Sequence, residues 1–236
     1  MSVALPKYEI EYPESDGKPV GETDIHIDWI FRLRDILRYR YVGQRVYVGS
    51  DMLVYYEEGR PSKFFVPDEF VVLDCEQRDR RTFKIWEEGR IPNVIFEVTS
   101  LSTKKEDLVF KPKTYSEVGI REYFLYDPTA EYLHPALQGF RLQDDAYVPI
   151  ELDTGGWLLC EQLGIELRLD ARDLVMRDVT TQQVLLTRAD AEQAGREAER
   201  AAREAERAAR KAAEAKVAEL QSEVRRLQGE LENRET

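Results

Sequence analysis

The sequence predicts a mixed α/β domain around one central sheet, followed by a long helical tail. Three observations carry this. Apolar residues recur at helical spacing over 23–42, and runs rich in Val, Tyr and Phe alternate with turn residues over 45–128. Near Thr187 the composition then turns abruptly to Ala, Glu and Arg. The expected domains are therefore 1–187 and 188–236.

The first helix spans 23–42, where Thr23 or Asp24 can cap it and Gly43 ends it. Ile27, Ile30, Phe31, Leu33, Ile36 and Leu37 give its apolar positions, with Arg32, Arg34, Arg38 and Arg40 among them. The runs "RVYVGSDMLVYY" (45–56) and "KFFVPDEFVVLD" (63–74) read as two strands of a hairpin joined by "EEGRPS". A short helix over 81–89 should stop at Gly89, and "PNVIFEVTS" (92–100) has the makeup of a buried strand. Residues 101–119 read as a polar loop leading into a helix that ends at Gly119. "REYFLYDP" (121–128) is another strand, and short strands and turns fill 139–186.

In the tail the heptad "REAERAA" occurs twice in succession (196–202 and 203–209). Alanines from Ala191 to Ala215 alternate three and four apart. Val217, Leu220, Val224, Leu227 and Leu231 form a bulkier seam in a displaced register. Sustained spacing of this kind favours a coiled coil, and hence a homo-oligomer, over a solvated single helix. Pairs such as Glu199–Arg203 stiffen either form.

The net charge is −12. Segment 188–236 holds 11 basic and 12 acidic residues, leaving 23 basic against 34 acidic in 1–187. That excess argues against the broad basic surface of most nucleic-acid binders, while leaving room for a local cleft. Two histidines, His26 and His134, are too few for a zinc site built on imidazoles. Cys75 and Cys160 read as reduced core residues. No long apolar run or cleavable leader is recognisable, so a cytoplasmic location without membrane contact is expected.

Two acids look out of place. Glu97 follows Val94, Ile95 and Phe96, and Asp68 alternates with Phe64, Val66, Phe70 and Val72. A buried carboxylate costs several kcal/mol, on the order of an unpaired interior charge, unless something compensates it. If the two converge from neighbouring strands, a hard divalent cation removes the conflict, because Mg²⁺ takes one or two carboxylates plus waters. The competing reading has Asp68 capping a turn after Pro67 and Glu97 facing solvent. Asp51 is a third, weaker acid beside Gly49. A cation near such a site would help attack on a phosphodiester. Lys104, Lys105, Lys111 and Lys113 follow closely, and Asp107, Lys111 and Tyr115 share a face if the helix is continuous.

Taken together, "VPDEFVV", "PNVIFEVTSLST", then Asp107, Lys111 and Tyr115, then "VGIREYFLYDP" resemble the Uma-two family of restriction endonucleases over about residues 20–186. That family belongs to the PD-(D/E)XK nuclease-like superfamily. The resemblance implies a restriction-endonuclease-like mixed central sheet flanked by helices. It also implies a Mg²⁺- or Mn²⁺-dependent endonuclease acting on DNA. Asp68 and Glu97 would be the metal ligands, joined by the Val98 carbonyl, and Lys111 would be the catalytic lysine. Thr99 stands where the usual pattern has lysine, and the family pattern moves that lysine to the next helix. Pro112 leaves Lys111 and Lys113 as alternatives. Glu22 and Asp28 are weak matches for a first-helix acid, and His26 resembles a histidine near that helix. The arginines of the first helix are candidates for phosphate contact. The alternative to an enzyme is a non-catalytic nuclease-like scaffold assembled through its tail.

Overall fold

The computed structural model describes residues 10–15, 23–100 and 106–235. Its contacts divide the chain after Thr187 into two units, and the second is the helix α4 (Arg188–Glu235). Glu22, Lys104 and Lys105 lie outside the described residues.

In the first unit α1 (Asp24–Arg40) follows Thr23, whose backbone is extended at the N-cap, and Gly43 lies beyond its end at φ +76°. Its buried face is His26, Trp29, Leu33, Ile36 and Leu37. Phe31, expected on that face, is 61% exposed. It lies two positions from Leu33, on nearly the opposite side of the helix. Trp29 fills the place instead, edge-on to Tyr126 at 4.9 Å.

The two Val/Tyr/Phe runs pair, but not as one continuous hairpin. Their outer halves, β1 (Val46–Ser50) and β4 (Glu69–Leu73), pair antiparallel in the main sheet. Their inner halves, β2 (Val54–Tyr55) and β3 (Phe64–Phe65), form a small sheet with β5 (Phe83–Lys84). The cause is local. Pro67 has no N–H for a ladder. Asp51 adopts φ +43° and sends its N–H to the Pro67 and Asp68 carbonyls at 3.1 and 3.2 Å. Asp68 therefore sits at the foot of β4, not within one long strand as the alternation predicted.

A single helical turn, α2 (Ile85–Glu88), ends at Gly89 as predicted, with φ +62°. The main sheet continues through β6 (Val94–Val98), β7 (Glu122–Tyr126), β8 (Leu137–Gln143) and β9 (Ala146–Pro149), in the order β1-β4-β6-β7-β8-β9. Among the described strands of this sheet, β6 and β7 are the one parallel pair. Their connection carries a π-helical turn (Glu106–Phe110) and α3 (Lys111–Val118), which Gly119 closes at φ +90°. A separate antiparallel sheet holds β10 (Leu158–Cys160), β11 (Ile165–Asp170) and β12 (Asp173–Asp178).

Alternation along the strands gives the main sheet two apolar faces. Val48, Val71, Phe96, Val98 and Phe124 pack with α1 and β10–β12. Tyr47, Phe70, Val72, Ile95 and Leu125 pack with α3 and the small sheet. Cys75 and Cys160 are buried free thiols. Among the described residues, no helix is long and apolar enough to cross a membrane.

Two sites in this frame give direct tests. A Cβ on Gly49 would lie 2.5 Å from Phe70 Cζ and 2.8 Å from Tyr47 Cε1. Both rings are buried, so Gly49→Ala should cost about 1–3 kcal/mol by overpacking, measured by urea unfolding. The Asp127 carboxylate closes the turn after β7, accepting from the N–H groups of Thr129, Ala130, Tyr132 and Leu133 and from Thr129 Oγ1. Although burial opposes its charge, these donors hold its pKa below the usual value. Asp127→Asn should lose about 1–3 kcal/mol near neutral pH. A lowered folded pKa gives stability that is present above the unfolded value and lost as pH falls through the folded one. The gap between wild type and variant should therefore narrow below about pH 4. A gap that stays constant down to acid unfolding would contradict the assignment.

Candidate active site

Glu97 lies near the end of β6 and is 1% exposed. In β4–β6, Glu69 pairs with Phe96, so one step further along the same register Asp68 stands opposite Glu97. Opposite residues of an antiparallel pair share a face. The two acids are linked reciprocally. Asp68 N–H points to Glu97 Oε2 at 3.3 Å, and Val98 N–H donates to Asp68 Oδ2 at 2.6 Å.

The helix after β6 brings the cation. Pro112 occupies the first turn of α3, where its missing N–H is not needed, so it starts the helix without breaking it. Lys111, just before it, reaches inward, with Nζ 2.7 Å from Glu97 Oε2 and 2.9 Å from Asp107 Oδ1. One turn later, the Tyr115 hydroxyl donates to Glu97 Oε1. Both oxygens of Glu97 are thus held by α3. Lys113 is exposed, which leaves Lys111 as the lysine that faces Glu97. Thr99, two positions after Glu97, is buried, and its Oγ1 meets no hydrogen-bond partner among the described residues.

α1 supplies one more group. His26 is buried, its Nε2 contacts the Val98 carbonyl oxygen, and it lies 3.6 Å from Asp68 Oδ2. A carbonyl only accepts, so the imidazole proton in that contact is on Nε2.

The electrostatics follow from burial. Loss of water pushes the Glu97 carboxyl up, to about 8; Lys111 pulls it down, and Asp68 and Asp107 raise it further. Lys111 is also pushed up, because the attraction of Glu97, Asp107 and Asp68 outweighs its own desolvation, so it stays charged. Three carboxyl groups thus surround one ammonium.

Not every buried acid here asks for a metal. Glu122 is as buried as Glu97, but Arg141 pairs with it at 2.8 Å and the N–H groups of Glu161 and Gln162 complete it. Asp68 and Glu97 differ in that one lysine is shared among several acids. Their oxygens and the Val98 carbonyl are donors of the hard, all-oxygen kind that a divalent cation such as Mg²⁺ takes. Among the described residues, no three His, Cys, Asp or Glu side chains form a ready-made metal cluster. A Mg²⁺ site of two carboxylates and a carbonyl does not require one.

Other sequence candidates fall elsewhere. Asp51 and Asp28 are exposed. Three of the four α1 arginines make contacts within the fold. Arg40 pairs with Asp178 at 2.7 Å, Arg38 donates to the Val48 carbonyl, and Arg32 lies over the Trp29 ring. Sequence reading missed Glu69, which is fully buried, receives the Ser50 hydroxyl, and has Arg34 and Arg38 nearby. The signal was available: Glu69 adjoins Asp68 and must face the other side of the sheet.

No curated protein matches this sequence. Residues 5–172 match the Uma2 family, described as "Putative restriction endonuclease". The mixed sheet flanked by helices is that of a restriction-endonuclease-like fold. With its site at the junction of β4, β6 and α3, the chain belongs to the Uma2 family.

Proposed function

We propose that the chain is a Mg²⁺-dependent endonuclease that hydrolyses DNA phosphodiester bonds. The observation that carries this reading is the gathering of Asp68, Glu97 and Asp107 around Lys111, which leaves an excess of negative charge in a buried place. Asp68, Glu97 and the Val98 carbonyl would hold Mg²⁺ or Mn²⁺. The ion would supply Lewis-acid activation of water and neutralise phosphate charge.

The remaining roles belong to the chain. Tyr115 and Lys111 fix the two oxygens of Glu97, so the carboxylate is oriented before substrate arrives. Asp107 keeps the Lys111 ammonium in place. As a permanent cation, Lys111 can donate to a phosphate oxygen as negative charge builds there. His26 holds the Val98 carbonyl and borders Asp68, so it is a positioning residue. The lysine absent at position 99 is replaced from α3.

The test is conversion of supercoiled plasmid to nicked or linear DNA. It should require Mg²⁺ or Mn²⁺ and stop with chelator. No conversion by folded protein, with any DNA form and either metal, would overturn the enzyme reading and leave a nuclease-like scaffold.

A further inference from the structure

The second unit, α4, is one unbroken helix with an exposed apolar stripe among its described residues. Val217, Leu220, Val224 and Leu227 are each about half exposed. Their spacing of three, four and three residues continues to Leu231 in the sequence, which makes them the a and d positions of a heptad. We infer that α4 pairs with α4 of a second copy of this chain, as a parallel two-stranded coiled coil with this seam. The inference goes beyond the nuclease reading and does not depend on it.

Residue type chooses this occupant. Val217 and Val224 put β-branched side chains at a, and Leu220 and Leu227 put leucine at d. That combination favours two parallel strands over trimers or tetramers. The flanking positions agree. In a parallel pair Lys216 faces Gln221 of the other copy, and Glu223 faces Gln228, so no like charges meet between Val217 and Leu227; past that stretch Glu230 would face Glu235, which limits the seam at its far end. Nearby charges are already matched within one helix, Lys216 with Glu219 at 2.8 Å and Arg226 with Glu223 at 2.5 Å. Upstream, the seam is alanine in another register, and Glu199–Arg203 and Arg210–Glu214 pairs hold that stretch as a single helix. Pairing is therefore confined to the last part of α4, and both chains enter it from the same end.

Sedimentation equilibrium of the full chain tests this. A short seam should give reversible dimers of the 27.5 kDa chain, populated at about 100 µM. Val224→Asp with Leu227→Asp should weaken the dimer at least 100-fold. Val217→Cys should form a disulfide-linked dimer under mild oxidation, while the wild type should not, because Cys75 and Cys160 are buried. In an antiparallel pair with Val217 beside Leu227, the two cysteines would stand about 15 Å apart along the axis and could not link. A monomer at about 100 µM, a larger oligomer, or a dimer indifferent to the double substitution would overturn the proposal. A dimer without the Val217→Cys link would overturn its parallel register. None of these readouts uses cleavage, so failure of the nuclease reading is scored separately.

Discussion

Glu97→Gln is expected to reduce plasmid cleavage at least about 1,000-fold, equivalent to about 4 kcal/mol of transition-state stabilisation. The substitution keeps shape and removes charge. Its carbonyl can still accept from Tyr115, and Lys111 keeps Asp107, so the fold should survive and the far-UV spectrum should be unchanged. What disappears is one of the two carboxylates that, on the proposed reading, would hold the cation. A second readout is therefore needed. At about 100 times its Kd, a ligand bound only to the native state adds about 2.7 kcal/mol. The rise in Tm expected for the wild type with Mg²⁺ or Mn²⁺ should be absent in the variant. Full cleavage, or an undiminished Tm rise, would remove Glu97 from the site.

Lys111→Met should give the largest loss of stability. Methionine has a similar length and no charge, so packing is largely kept while Glu97 and Asp107 lose their shared partner. Breaking a buried pair from one side costs about 3–5 kcal/mol. For a domain of this size that lowers Tm by roughly 6–20 °C. Mg²⁺ should recover part of the loss, but cleavage should not return. The pH dependence has a definite sign. The folded pKa of Glu97, about 8, lies above its ordinary value of 4.5, so between these values the folded form binds more protons than the unfolded form. Stability then falls as pH rises through that window. Without the lysine, which draws the value down, the fall should continue to higher pH. A variant as stable as wild type at pH 8, without metal, would mean that Lys111 does not compensate these acids.

Much of this could be read from the chain because the physical signals were local. Helical spacing found α1, Gly119 marked the end of α3, turn residues ended α2 at Gly89 and β7 at Asp127-Pro128, and the compositional change fell at the start of α4. Glu97 and Asp68 were visible as acids among apolar neighbours. Less legible was anything set by distant parts of the chain. The break at Pro67 was present as a residue but not as a bend, because its effect depends on the bond from Asp51 across the strand pair. Which lysine faces Glu97 depended on Pro112 starting α3 rather than interrupting it. The place of His26 depended on α1 packing beneath the end of β6, which no local pattern encodes.

The division of each long strand run has one more result. It frees β2 and β3 to lie over α3, where Phe65 meets the Tyr115 ring edge-on at 5.1 Å. Tyr115 is the residue that grips Oε1 of Glu97. The small sheet thus acts as a brace behind the acid, tying hairpin 54–65 mechanically to the position of Glu97.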